Sequence, residues 1–280
     1  MNNATFQFIA GIVKQRSGGV LGPDQAYMLD TRLAPLLKRE NLASLDSLAL
    51  KLRAAGSDKL AQEVAELLTT NESHFFRDGK PFDHLKELLP VLHKARAPGL
   101  PIRIWSAACS TGQEAYSIAI LIAEAQDLDA SMKSRRFEII GTDLTRAVLD
   151  RAKEASFTQF EVQRGLPVRM LMKHFKQIEG RWQASDRLRA FTRFEQANLL
   201  QDVARFGRFD VVFCRNVLIY FDLPTKSRVL NGIAAQLAPD GALYLGAAET
   251  ALGITDRVEP LLGQRAVYRP AAARPAARSA

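Results

Sequence analysis

Along the first 75 residues, apolar side chains return every three or four positions. Phe6, Ile9, Ile12 and Val13 make one such series, and Leu29, Leu33, Leu36 and Leu37 a second. Leu42, Leu45, Leu48 and Leu52 make a third; Leu60, Val64, Leu67 and Leu68 make a fourth. This spacing places each series on one stripe of an α-helix. Gly18-Gly19, Gly22-Pro23 and Gly56 punctuate the series where turns are needed. No alternating run interrupts them, so residues 1–75 read as a small helical bundle.

From about residue 100 the pattern changes. Residues 102–106 read as a short strand opened by Pro101, and 107–112 as a turn of small residues. Residues 113–125, with Tyr116, Ile120 and Ile122, read as a helix. A second strand over 137–140 ends at Gly141-Thr142-Asp143, and a helix follows over 146–154. A strand over 209–214 precedes a helix over 224–237, and Pro239-Asp240-Gly241 turns into a strand over 242–245. Strands alternating with helices imply an α/β fold, with a parallel sheet covered on both faces. Residues 156–195 break the alternation. They hold Gly165-Leu166-Pro167, a short helix through Phe175 and hairpin-like pieces around Gly180 and Asp186, and read as an insertion.

Composition narrows the class. Of 280 residues, 47% are hydrophobic and 24% charged, which is a globular composition and excludes wholesale disorder. No apolar run approaches the roughly 20 residues of a membrane helix, and the start MNNATFQFIAGIVKQRSGG lacks the plan of a signal peptide. A cytoplasmic protein without membrane insertion is expected. Cys109 and Cys214 form no CxxC pair, and His74, His84, His93 and His174 share no ligand spacing, so neither a disulfide framework nor a metal site is expected.

The net charge of +8 raises nucleic acid as a partner. Its distribution points elsewhere. Residues 1–75 balance 8 basic against 8 acidic side chains, whereas 133–193 carry 14 against 7. The end of the chain adds Arg265, Arg269, Arg274 and Arg278, and its Pro/Ala/Arg-rich tail over 271–280 reads as disordered. No zinc finger or aromatic RNA-binding motif accompanies these charges, and a protein partner with an acidic surface fits them equally well.

Three segments carry the chemistry. Ser106-Ala107-Ala108-Cys109-Ser110-Thr111-Gly112-Gln113-Glu114 lies between strand and helix, where open α/β sheets bind ligands. It lacks both GxGxxG and a GKS/GKT ending, so it suits a nucleoside ligand without a pyrophosphate. Asp143, closing the second strand, can accept from the two hydroxyls of a ribose or simply cap the next helix. Glu114 can contact a ligand or complement the helix dipole. The second segment, Asn71-Glu72-Ser73-His74-Phe75-Phe76-Arg77-Asp78, joins the helical and sheet parts, its phenylalanines anchoring polar neighbours at the cleft. The third, Cys214-Arg215-Asn216-Val217-Leu218-Ile219-Tyr220-Phe221, runs from a strand directly into Arg-Asn at the ligand edge. Both cysteines read as small buried residues. No GxSxG, HExxH or paired-carboxylate motif supports a hydrolase.

Together NESHFFRD, AACSTGQEAYSIA and FDVVFCRNVLIYFD resemble the CheR family of chemotaxis receptor methyltransferases. The resemblance continues through GTDLTRAVLDRAKEA, LAPDGALYLGAAET and GQRAVYR, to about Pro270. It implies a helical N-terminal domain over 1–75 for receptor recognition. It also implies a Rossmann-like S-adenosylmethionine-dependent domain over 76–270, with a β-subdomain inserted at about 156–195. It implies S-adenosyl-L-methionine as cofactor, S-adenosyl-L-homocysteine as product, and chemoreceptor glutamates as acceptors. Cofactor contacts implied by motif position are Asn71, Ser73, Arg77, Glu114, Asp143, Asn198, Leu199, Arg215 and Asn216.

This chain departs from the family pattern in places. Ser73 stands where threonine is usual, and Gly246-Ala247-Ala248-Glu249 replaces Gly-His-Ser-Glu. The stretch 176–188 is short, with Gly180 as its only glycine, which implies methylation without binding a C-terminal receptor peptide. Arg77 is the first choice to orient the acceptor carboxylate and Tyr220 the second, as a phenolic donor. Arg32, Lys38 and Arg39 of the second helix are candidates for reading an acidic receptor helix. Two rival readings are a methyltransferase for another acceptor and a regulatory domain that binds the cofactor without transfer.

Overall fold

In the computed structural model, which describes residues 2–201 and 203–272, the four apolar series do form helices. They are α1 (Asn3–Ser17), α2 (Ala26–Arg39), α3 (Leu45–Arg53) and α4 (Asp58–Leu68). Asn2 and Ser44 cap α1 and α3 by accepting backbone N–H groups with their side chains. Phe6, Ile9, Val13, Leu29, Leu33, Leu36, Leu48, Val64 and Leu68 turn inward and form a core of their own.

Helix α5 (Lys80–Ala95) follows, in a stretch where sequence reading assigned no element. Its signal is present: Phe82, Leu85, Leu89 and Leu92 are buried at helical spacing. Next come β1 (Ile102–Ala107), α6 (Gln113–Leu128), β2 (Phe137–Asp143) and α7 (Arg146–Glu154). The inserted part holds β3 (Ser156–Phe157), α8 (Gln159–Gln163), α9 (Val168–His174), β4 (Phe175–Ile178), β5 (Arg181–Ala184) and α10 (Asp186–Arg189). The chain returns through β6 (Thr192–Gln196), β7 (Phe209–Cys214), α11 (Leu223–Gln236), β8 (Leu237–Leu245), β9 (Val258–Pro260) and β10 (Val267–Pro270).

The main sheet has the order β6-β2-β1-β7-β8-β10-β9, and a separate sheet has the order β3-β5-β4. Two expectations change. First, β6 pairs in parallel with β2, so Thr192–Gln196 belongs to the main sheet rather than to the insertion. Second, the sheet is mixed: β10 runs antiparallel between β8 and β9. The expected turn at Pro239-Asp240-Gly241 is an irregularity inside β8, where the pairing with β7 shifts between Phe209 and Val211. The tail lies outside the described residues from position 273 onward.

Alternation along the strands divides two further cores. Ile104, Ile139, Val211 and Phe213 face α5 and α6, together with Leu85, Leu89 and Ile118. Trp105, Ile140, Val212 and Cys214 face the other way, towards Val229, Leu230 and Ile233 of α11. Both faces of the central strands are therefore dry, and their carboxyl ends are the edge left for a ligand.

Candidate active site

A cleft opens at that edge, between the sheet domain and the helical bundle. Asn71, Ser73, Arg77, Glu114, Asp143, Asn198, Leu199, Arg215, Asn216 and Tyr220 all line it. Val13, Ser17, Leu21, Gln25, Met28 and Leu68 supply the opposite wall. The bundle therefore encloses the cleft as well as packing beside it.

The turn after β1 is shaped by backbone alone. Ala108, Ser110 and Gly112 all have positive φ (61°, 51° and 94°), two of them without the freedom of glycine. Gly112 has no alternative, because a Cβ there would lie 3.0 Å from Ala152 Cβ. The Ser110 amide donates to Asp143 Oδ2 (2.9 Å) and the Thr145 amide to Asp143 Oδ1 (3.0 Å). Each carboxylate oxygen keeps a second lone-pair direction for another donor. Burial holds the Asp143 carboxyl above the usual aspartate range, and the backbone amides oppose that rise. Ser110 Oγ also donates to the Asn71 carbonyl (2.7 Å), tying the turn to the interdomain junction.

Arg215 joins the other elements. Its Nη1 donates to Glu114 Oε2 (2.9 Å), and its Nη2 to the Arg77 carbonyl (2.6 Å) and to Asp78 Oδ2 (2.7 Å). Its guanidinium lies 5.5 Å from the Phe82 ring centroid. Arg215 is 5% exposed, and its Nε is buried without a partner among the described residues. The remaining Glu114 oxygen accepts from Ser106 Oγ (2.7 Å). Each Glu114 oxygen thus accepts one bond from the protein, and Arg215 braces the turn that carries Arg77. That turn has positive φ at Phe76 and Asp78.

The remaining candidates differ in how free they are. Arg77 Nη1 donates to the Glu72 carbonyl (3.2 Å), the one hydrogen bond of its side chain among the described residues. Both ends of the Asn198 amide are taken: Nδ2 donates to the Arg16 carbonyl (2.6 Å) and Oδ1 accepts the Leu200 N–H (2.9 Å). Asn198 therefore ties the two domains together at the cleft wall. Tyr220 is half-buried, and its carbonyl accepts the Val20 N–H (2.9 Å). His74 also lines the cleft, with a buried Nδ1 that has no partner among the described residues; burial lowers its pKa first, and Arg164 and Arg77 lower it further.

Arg32, Lys38 and Arg39 do not line the cleft. Arg32 donates to the Thr69 carbonyl (2.6 Å), bracing the end of α4. Arg39 grips Glu63 with both arms (2.5 and 2.7 Å) and also pairs with Glu40. Lys38 is exposed and has no such partner among the described residues. Cys109 and Cys214 are buried, and burial pushes both thiols well above the ordinary range, so neither supplies a thiolate nucleophile.

Sequence reading assigned no role to Ser106, Asp78, Phe82 or Glu249, although each holds a residue of the site in place. Ser106 and Asp78 were legible as neighbours of assigned motifs. Phe82 acts over a long separation that no local pattern reveals, and Glu249, although it lies in the segment 246–249 already singled out, reaches Asn216 and Ile219 33 and 30 positions away.

These residues fit a nucleoside-bearing sulfonium cofactor. A buried carboxylate with spare acceptor positions, an unpartnered buried guanidinium donor and an apolar opposite wall share one cleft. Residues 71–267 match the family described as CheR methyltransferase, SAM binding domain, and residues 4–69 match its all-alpha domain. The chain is 34% identical to Chemotaxis protein methyltransferase Cher2 of Pseudomonas putida, over 92% of this chain and 94% of that one. It is 36% identical to Chemotaxis protein methyltransferase 1 of Pseudomonas aeruginosa, with the same two coverages. It is 35% identical to a chemotaxis protein methyltransferase of Vibrio anguillarum, again over 92% and 94%. With both halves matched and the cleft between them lined by the motif residues, the chain belongs to the CheR methyltransferase family.

Proposed function

We propose that this protein transfers a methyl group from S-adenosyl-L-methionine to glutamate side chains on the cytoplasmic helices of chemoreceptors, forming methyl esters for sensory adaptation. The observation that carries this reading is the convergence of Asn71, Arg77, Asp143, Arg215, Asn216 and Tyr220, from separated segments, on one interdomain cleft. The names of its relatives support the chemotaxis setting.

The bound cofactor supplies an electrophilic sulfonium methyl. The acceptor glutamate has an ordinary pKa of about 4.3 and is already ionised near neutral pH, so the chain needs no general base. The work of its residues is alignment and exclusion of water. Asp143 takes the ribose hydroxyls on its spare lone pairs. The Arg215 Nε and the polar edge at Asn71, Ser73 and Asn216 hold the rest of the cofactor. Arg77, with one weak internal hydrogen bond, is free to orient the acceptor carboxylate. Tyr220 donates its phenol beside it.

Two finer readings accompany this one. The hairpin of β4 and β5 turns through Glu179 and Gly180 alone, which supports methylation without a receptor tether peptide. Among the described residues no helix is long and apolar enough to cross a membrane, which supports action in the cytoplasm.

The test is transfer of labelled methyl to chemoreceptor cytoplasmic fragments, followed by mild alkali. Label released as volatile methanol is expected, since carboxyl methyl esters hydrolyse readily. Alkali-stable label would identify an amine or nucleic-acid acceptor. Cofactor binding without any transfer would favour the regulatory alternative.

A further inference from the structure

We infer that Glu249 is a positioning residue for methyl transfer, holding in place the loop that carries Asn216 and Tyr220. The inference rests on the reading of Tyr220 as the phenolic donor. Glu249 is 9% exposed and does not line the cleft, so it does not act on substrate directly. Its carboxylate accepts three backbone amides. Oε2 takes Gly246 N–H (2.6 Å) and Asn216 N–H (2.8 Å), and Oε1 takes Ile219 N–H (3.2 Å). One side chain thereby joins the end of β8 to the loop after β7.

That loop needs an external hold. Asn216 sits at φ 59°, in the left-handed region that asparagine tolerates better than most residues but that still favours glycine. The short turn at Leu218–Tyr220 has no side-chain cap. Three amides converging on one carboxylate in a nearly dry site hold a loop more firmly than a single bond would. On the opposite side, the Val20 amide donates to the Tyr220 carbonyl (2.9 Å), and Gly19 bridges to Phe221. The helical domain thus holds the Tyr220 carbonyl, and Glu249 holds the amide of the preceding Ile219. Gly246 leaves room for this arrangement: a Cβ there would stand 2.7 Å from Glu249 Oε2 and 2.9 Å from the Asn216 amide nitrogen.

The experiment compares Glu249→Gln, Tyr220→Phe and the double variant in the full chain, with a receptor fragment as acceptor. Glu249→Gln replaces one acceptor oxygen with a donor that faces a backbone donor. Its kcat per folded molecule should fall about tenfold or more, while KM for the fragment moves less than about threefold. The double variant should be no more than about twofold slower than Tyr220→Phe, because both changes disable the same group. Unchanged kcat in Glu249→Gln overturns the inference, and so do multiplicative losses in the double variant. A fully active Tyr220→Phe overturns the role of Tyr220 itself, and this inference with it. If Glu249→Gln does not fold, Gly246→Ala crowds the same carboxylate from outside. It should show the same kcat loss, and unchanged kcat there overturns the inference.

Discussion

At the scale of single residues, the site is sorted by what each side chain has left to offer. Asn198 is engaged at both ends of its amide within the protein, whereas Asp143 keeps acceptor positions and Arg77 keeps donors for a ligand. Asp143 makes a pH prediction. Its carboxyl is raised by burial, so in the free protein it picks up a proton at a higher pH than an exposed aspartate does. Ribose hydroxyls that donate to it favour the ionised form and lower its pKa on binding. Affinity for S-adenosylhomocysteine should therefore weaken as pH falls from about 7 towards 4, beginning above the ordinary aspartate value of about 3.9. Calorimetric titration across that range checks it, and Asp143→Asn should flatten the acid limb. The same raised pKa acts on stability with the opposite sign. Folding disfavours the charged form, so this group's contribution is greatest when protonated and declines as pH rises through the raised value. For Arg77, replacement by alanine should cost at least about tenfold in kcat and less than about threefold in cofactor affinity. Equal losses would make it a cofactor ligand only.

At the scale of elements, the junction segment is tied to the inserted subdomain. Phe75 is fully buried, with its ring edge-on to Phe157 of β3 (5.0 Å) and Phe175 of β4 (5.8 Å). Gly165 of the insertion, at φ 84°, packs so closely that a Cβ would run into the Phe75 carbonyl. Arg164 pairs with Glu72 at 3.0 Å. The inserted subdomain thus supports the very turn that bears Arg77. Phe75→Ala should destabilise the fold by about 3–5 kcal/mol, through lost burial and the cavity left behind. Urea denaturation measures that, and a loss below about 1 kcal/mol would show that the aromatic cluster is not the anchor. The phenylalanine pair and its anchoring role were legible in the sequence. Its partners were not, because Phe157 and Phe175 lie in short strands whose pairing is decided by the rest of the sheet.

At the scale of the whole molecule, two domains with separate cores share one cleft. The joint includes Lys14 with Asp222 (2.8 Å), Asn198 with the Arg16 carbonyl, and Thr69 with Thr145 (3.1 Å). Gly18 sits at its tightest point, at φ 81°, where a Cβ would stand 3.0 Å from Thr225 Cγ2. Gly18→Val should weaken S-adenosylhomocysteine binding by about tenfold or more while far-UV circular dichroism stays unchanged, because each domain keeps its own core. Normal affinity would mean that the bundle wall is dispensable for the cofactor. Receptor recognition by charge belongs to this scale too. Arg39 is already paired with Glu63 and Glu40, whereas Lys38 has no ion pair among the described residues. Lys38→Glu should therefore raise KM for a receptor fragment more than Lys38→Ala does, with the difference shrinking as salt increases. A KM indifferent to both charge and salt would remove α2 as the reading face.

The sequence by itself determined the helical bundle, the central strands, the two inert cysteines and the three segments that meet at the cleft. Each is written in local periodicity, or in short motifs whose residues act within a few positions of one another. Helix α5 was equally legible in Phe82, Leu85, Leu89 and Leu92. Tertiary structure alone decided that β6 joins the main sheet, that β10 enters between β8 and β9, and that Val13 and Met28 help to wall the cofactor cleft. It alone committed Arg215 to Asp78 and Glu249 to Asn216, pairs separated by 137 and 33 positions. Such contacts are chosen by the packing of whole elements, and a buried charge is satisfied by whichever partner that packing brings within reach.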